Sequence, residues 1–281
     1  MGKRMNKWLH RGVVLAAALM LSISAGSAVN TVTAQAEETQ AAVQEVSTKS
    51  GLLKEDGKYY FYKDGQKVTN TWKTIKKKTY YFGADGAAKT GWYTAKKGKK
   101  WATYYFTSKG VMKASKTQKI DKKLVKKMDE RIKKAGVTAE TEKVEALKLL
   151  FANMSSTEFN YKRGIIDPGK KLAAIEKLAL STLKSKKGNC VGFATAFAVT
   201  ARRATGLPVR VCVGTSKALM GKSFTPHAWT EVKENGKCLV FDTNAQRYTQ
   251  LSQFKDNAEA FCGIARTKAY YKLKYSVNVN L

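Results

Sequence analysis

From residue 51 the apolar positions fall in short aromatic runs separated by polar, glycine-bearing stretches. Tyr59-Tyr60-Phe61, Tyr80-Tyr81-Phe82 and Tyr104-Tyr105-Phe106 recur at intervals of 21 and 24 residues. Each carries a glycine four positions after its Phe: Gly65, Gly86 and Gly110. Trp72 and Trp92 stand 20 residues apart in matching places. An aromatic run, an Asp-Gly turn at Asp64-Gly65 or Asp85-Gly86, and a second short run predict a β-hairpin. Repetition near 20 residues predicts stacked hairpins, a solenoid whose units cannot bury their faces alone.

After residue 115 the spacing changes. Ile120, Leu124, Met128 and Ile132 step at helical intervals and the run stops at Gly136, which predicts a helix over 120–136. A second amphipathic helix is predicted over 139–154, opening at a Thr138-Ala139-Glu140-Thr141 cap. A third covers 170–185. A fourth runs from Cys190 to about Thr205 and is stopped by Gly206 and Pro208. The remainder is strand-like: 209–215 is β-branched, 227–233 alternates, and 237–243 returns after Asn235-Gly236, a type I′ turn signal. Helices followed by an antiparallel meander predict an α+β domain.

The amino terminus reads differently. Lys3, Arg4, Lys7 and Arg11 precede an apolar run too short to span a bilayer comfortably, then small residues and an Ala34-Gln35-Ala36 cleavage pattern. Residues 1–36 are expected to be a secretory signal peptide, with no transmembrane segment left after cleavage. Residues 37–50 are polar, lack aromatics and read as a linker. The expected organisation is therefore signal peptide (1–36), linker (37–50), hairpin repeats (51–115) and α+β domain (116–281).

The formal charge is +31. Without the four basic residues of 1–36, 48 basic residues face 21 acidic ones, a net +27. A secreted chain this basic should seek polyanions, such as the anionic polymers of a Gram-positive wall. The lysines are spread thinly and no nucleic-acid motif is present, so a specific nucleic-acid partner is not expected. The cysteines are Cys190, Cys212, Cys238 and Cys262, at spacings that match no zinc pattern. His227 is the one histidine beyond the signal segment, which argues against a histidine-built metal site. A disulfide among Cys212, Cys238 and Cys262 would be ordinary in a secreted protein.

The scarcity of histidine focuses the chemistry. Cys190 opens a helix, His227 opens a strand, and Asp242 ends the next strand. In a 227–233/237–243 hairpin, the first residue of one strand faces the last of the other, placing His227 beside Asp242. A helix packed across that end brings in Cys190. These are the parts of a nucleophile, a general base and an orienting carboxylate. A free thiol near pKa 8.5 is mostly protonated at neutral pH. A helix N-terminus and a neighbouring imidazolium both favour its anion. The histidine can also protonate a departing amine, and the Cys190 N–H can serve as an oxyanion donor. The bland alternatives are a buried thiol or disulfide partner, a structural histidine and a turn-forming aspartate. Trp229 reads as packing, Glu231 as a supporting or surface residue, and Arg203 and Arg210 as a solvated helix face and a strand end unless they meet carboxylates.

Two resemblances sharpen this. Residues 51–115 resemble cell-wall-binding repeats of the choline- and glucan-binding type. That implies aromatic cages for choline or sugar, and Trp72, Trp92, Trp101, Tyr60, Tyr81 and Tyr105 are the candidate ligand residues. Only Gly91-Trp92 keeps the Gly-Trp pair, since Trp72 follows Thr71. Core packing or dimerisation remains the alternative use of these rings.

The second resemblance covers about 140–250. Gly188-Asn189-Cys190, Phe193-Ala194, Arg203 with Gly206-Leu207-Pro208, His227-Ala228-Trp229-Thr230-Glu231-Val232 and Asp242-Thr243 resemble the transglutaminase-like superfamily, a branch of papain-like cysteine enzymes. The resemblance implies a Cys-bearing helix packed on an antiparallel sheet. It also implies acyl transfer through a thioester by Cys190, His227 and Asp242 on a protein or peptide substrate. Hydrolysis of a peptide or glutamine-type amide is expected ahead of cross-linking to amines, because water is abundant outside the cell. Animal members use calcium. No calcium-loop pattern is present in this sequence, so no metal or cofactor is expected. A non-catalytic wall-binding protein on a degenerate version of the fold is the rival reading.

Overall fold

A computed structural model describes residues 49–281. The expected signal peptide, and the expected linker as far as residue 48, lie outside the described residues.

The aromatic triplets form strands, and each pairs chiefly with the strand before it. β1 (Gly51–Glu55) pairs with β2 (Lys58–Lys63), β4 (Thr71–Ile75) with β5 (Lys78–Phe82), and β6 (Gly91–Lys97) with β7 (Lys100–Phe106). The Asp-Gly turns lead only into stubs. β3 is two residues, Gln66–Lys67, and Ala87 and Ala88 make isolated bridges to Tyr60 and Phe82. The Tyr60–Ala87 bridge ties one unit to the next. A third strand, β8 (Met112–Lys119), pairs with β7 and crosses the boundary expected at 115/116. Phe82 and Tyr80 pack against Phe61, Tyr59 and Leu52 of the preceding unit. Phe106 and Tyr104 pack against Trp72 and Tyr81 in the same way. Each fully buried ring contributes roughly 2–3 kcal/mol that a single unit could not gain.

The α+β domain follows. Its helices are α1 (Lys122–Lys134), α2 (Lys143–Met154), α3 (Leu172–Ser185) and α4 (Cys190–Thr205). The cap of α2 differs from expectation. Glu142 precedes the helix without a side-chain cap, because Thr138 and Thr141 hydrogen-bond each other instead. α4 is apolar around nearly its whole circumference and buried on every side, between α3, α2 and the sheet. Its ends are well defined. The Asn189 side chain accepts the Gly192 N–H, and Gly206 takes the left-handed φ of 68° that a helix stop favours.

The sheet has five antiparallel strands in the order β14-β13-β12-β11-β15. These are β11 (Val209–Ser216), β12 (Thr225–Glu234), β13 (Lys237–Phe241), β14 (Cys262–Ala265) and β15 (Tyr271–Asn278). Asn235 and Gly236 make the β12–β13 turn at φ 46° and 80°, as a type I′ turn requires. Thr230 donates to the Ala194 carbonyl at 2.9 Å and fixes α4 on β12. The architecture is an α+β core, its Cys190-bearing helix packed on an antiparallel sheet, preceded by β-hairpin repeats.

All four cysteines are free. The disulfide that seemed ordinary from sequence does not form. Cys212 pairs in register with Trp229, and Cys238 with Lys233. β12 stands between them and they are four residues out of register, so their Cβ atoms cannot come within bonding reach. Among the described residues no helix is long and apolar enough to cross a membrane, and no cluster of metal-ligating side chains occurs.

Candidate active site

Cys190 is the first residue of α4 and 8% exposed. At that position its N–H has no acceptor within the helix. The loop before it is held from two sides. The two-residue strand β10 (Lys187–Gly188) pairs with β9 (Asn160–Tyr161), and Asn189 donates through Nδ2 to the Ile165 carbonyl at 2.9 Å. Gly188 and Gly192 let α3 close in: a Cβ on Gly192 would meet Thr182 Oγ1 at 2.7 Å.

His227 and Asp242 are each 1% exposed, and His227 Nε2 meets Asp242 Oδ2 at 2.7 Å. They do not meet as hairpin neighbours. The β12–β13 ladder ends at Thr230↔Phe241, short of His227. Asp242 instead leaves the strand and becomes the N-cap of the short helix α5 (Thr243–Tyr248). Its Oδ1 accepts the Ala245 N–H at 2.9 Å and its Oδ2 accepts the Tyr271 hydroxyl at 3.0 Å, besides the histidine. Asp242 is therefore both helix cap and partner of His227.

The histidine spends Nε2 on Asp242, and Nδ1 is buried without an aligned partner. The Cys190 thiol lies close enough to act on the ring. Burial pulls the imidazole pKa down. The charge and hydrogen bond of Asp242, with a further contribution from Cys190, outweigh it and raise His227 to about 10. The ring is thus held as imidazolium at neutral pH, with one N–H on the carboxylate and the other nitrogen left for sulfur. Two other thiols are different. Burial, with the charge of Glu231, pushes Cys212 far up, and burial with Glu259 pushes Cys262 up to about 12.

Behind the histidine, Trp229 lies nearly parallel to the ring (15°) with centroids 6.5 Å apart. Its Nε1 donates to Glu231 Oε1 at 3.1 Å. Glu231 is fully buried; Arg210 donates to its Oε2 at 3.0 Å, and the Arg266 guanidinium forms an ion pair with its Oε1 at 3.0 Å. So Glu231 is a supporting residue rather than a surface one, and Arg210 is a buried ion's partner. Arg203 likewise meets a carboxylate, Asp129, at 2.6 Å, and donates to Thr94 of β6 at 3.2 Å.

The six candidate ligand residues do not form one site. Trp72 and Tyr81 are cross-strand partners with rings 5.0 Å apart, and Trp72 is packed on Tyr104 and Phe106 as well. Trp92 and Tyr105 are a second cross-strand pair at 5.2 Å. Tyr60 stands apart with the Lys67 ammonium 3.7 Å from its ring. Trp101 is about 13 Å along β7 from Tyr105 and packs toward the α+β domain, with the Arg203 guanidinium 5.3 Å from its ring. Lysines of the chain itself also stand over Trp72 (Lys97, 5.0 Å) and Tyr105 (Lys116, 4.4 Å).

Residues 123–243 match the family model described as "Transglutaminase-like superfamily". The chain carries a transglutaminase-like domain. The matched span contains Cys190, His227 and Asp242. Residues 70–88 match "Putative cell wall binding repeat", a span that holds Trp72 and Tyr81. Solved structures similar to the repeats include CbpJ from Streptococcus pneumoniae, at 31% identity over 23% of this chain and 22% of that one, with a TM-score of 0.20. A pneumococcal cell wall endolysin from phage Cp-1, solved with choline, is 31% identical over 23% of this chain and 18% of its own, with a TM-score of 0.20. A structure described as a TGase is 21% identical over 43% of this chain and 31% of its own, with a TM-score of 0.30. The chain thus spans about a fifth of the length of the first of these relatives. No curated protein matches it.

Tyr271 was not anticipated from sequence, although a signal exists. Tyr271, Leu273, Tyr275, Val277 and Val279 alternate as a half-buried strand does.

Proposed function

We propose that the protein is a secreted, wall-associated cysteine enzyme that cleaves peptide or glutamine-type amide bonds through a thioester on Cys190. The observation that carries this reading is the buried His227–Asp242 pair at 2.7 Å, with the remaining ring nitrogen unpaired beside the thiol. In the proposed reaction the Cys190 thiolate attacks the amide carbonyl and the Cys190 N–H donates to the oxyanion. The imidazolium gives its proton to the leaving amine, and water then releases the acyl group with His227 as base. Asp242 holds the ring's tautomer and charge throughout.

A polypeptide substrate fits the surroundings. Tyr161, Ile165 and Ile166 are exposed apolar side chains on the segment that pairs with the loop before Cys190, and Met220 is another in the connection before the His227 strand. Exposed apolar groups so placed mark binding surface. The repeats would hold the enzyme on choline-bearing or other anionic wall polymers, with Trp72–Tyr81 and Trp92–Tyr105 as the ring pairs. For choline to sit on Tyr60, Trp72 or Tyr105 it would displace Lys67, Lys97 or Lys116 from the ring faces.

The test uses isolated Gram-positive walls. The mature chain and its Cys190→Ala variant should both sediment with the walls and be eluted by choline, and only the former should release new amino groups or ammonia. Binding without any release by the unmodified chain would favour the non-catalytic reading. Release of amines only in exchange for an added amine would favour cross-linking.

A further inference from the structure

β15 follows the matched family span and closes the sheet beside β11. It comes unusually close there. A Cβ on Gly214 would lie 2.0 Å from the Lys272 carbonyl oxygen, and the β11–β15 register shifts between Val213 and Gly214. Gly214 is also the register partner of His227. The missing side chain thus lets β15 seat Tyr271 against the triad. The Tyr271 ring packs 5.0 Å from Trp229, and its hydroxyl donates to the Asp242 oxygen that also receives His227. Both groups are buried.

We propose that Tyr271 is a positioning residue for the reaction, a donor that fixes Asp242 Oδ2 and moderates its hold on the imidazolium. This rests on the reading of Cys190, His227 and Asp242 as the catalytic groups. Three donors, from Ala245, His227 and Tyr271, then engage both carboxylate oxygens and fix its orientation. Burial and the charge of Asp242 keep the phenol protonated, so it stays a donor over the working range. The titratable groups acting on His227 are Asp242 and Cys190, and the one acting on Tyr271 is Asp242.

The experiment measures iodoacetamide alkylation of Cys190 against pH in the full chain, read on the Cys190 peptide by mass spectrometry because Cys238 is exposed. The unmodified protein should show a reactive plateau below pH 8 and an upper transition where the imidazolium loses its proton. In Tyr271→Phe, Asp242 loses a donor and holds that proton more strongly, so the upper transition should rise by roughly half a pH unit. In Tyr271→difluorotyrosine, a stronger donor, it should fall. In an Asp242→Asn background, Tyr271→Phe should move nothing further. An unmoved or lowered transition in a folded Tyr271→Phe, with the plateau intact in the unmodified chain, would overturn the role of Tyr271 alone. The absence of any plateau in the unmodified chain would remove the catalytic reading and this inference with it.

Discussion

Asp242→Asn removes a charge while preserving shape. His227 is raised from 6.5 to about 10 although burial works against it. The charge and hydrogen bond of Asp242, with a further contribution from Cys190, outweigh that burial and favour imidazolium. An asparagine offers one acceptor oxygen where three donors converge. If its NH2 faces the ring, the imidazole must move its proton to Nδ1 to accept, which turns the wrong nitrogen to the thiol. If it faces Ala245, the helix cap is lost. Either way the buried ring loses its anion and becomes neutral near pH 7. Alkylation of Cys190 by iodoacetamide at pH 6 should fall at least about tenfold, and the profile should become a single rise through the range of a free thiol, about 8.5. Turnover should fall by up to about 10⁴-fold, the loss seen when a serine-protease triad has its aspartate so replaced. A plateau retained at pH 6 in a natively folded Asp242→Asn protein would refute the account of how this imidazole is charged.

Three further outcomes follow from the same geometry. Because the folded pKa of His227 lies above 6.5, its contribution to stability is complete below pH 6.5 and lost as pH rises through about 10. Urea midpoints should therefore fall between pH 7 and pH 10, and His227→Gln should flatten that fall. Glu231→Gln strands Arg210 and Arg266 around a neutral amide and should cost about 3 kcal/mol or more in urea unfolding. Gly214→Ala sets a methyl against the Lys272 backbone and should lower the melting temperature by many degrees while slowing Cys190 alkylation, whereas Gly236→Ala, with open space around its Cβ but a φ of 80°, should cost about 1 kcal/mol and leave alkylation unchanged.

The helices and the meander were legible because each carries its own punctuation. Cys190 to Thr205 is bounded by an asparagine cap and a glycine stop, and Asn235-Gly236 dictates its turn. The pairing of His227 with Asp242 could also be inferred, but not the way they meet. A hairpin rule predicts register only while the ladder lasts, and this ladder ends at Thr230↔Phe241. Turn-former and orienting carboxylate are not exclusive roles for Asp242: one oxygen caps α5 while the other holds the histidine.

What the sequence withheld were contacts between segments far apart in the chain. Glu231 read as a supporting or surface residue because neither arginine partner is near it in sequence; Arg210 is 21 residues away, and Arg266 joins from beyond β14. Tyr271 stayed hidden for the same reason. The rings of the repeats show the converse difficulty. A Trp or Tyr on a hairpin has two uses, and its partner decides which. Trp72 is committed to Tyr104 and Phe106 in the stack, so Trp72→Ala should destabilise the repeats whether or not choline binds. Tyr60 carries only the Lys67 ammonium on its ring face, so Tyr60→Ala is the change that separates recognition from packing. Choline elution lost in Tyr60→Ala, with the melting curve unchanged, would show that a cation–π site is in use. Elution retained there but lost in Trp72→Ala would place any choline site at the Trp72–Tyr81 pair instead.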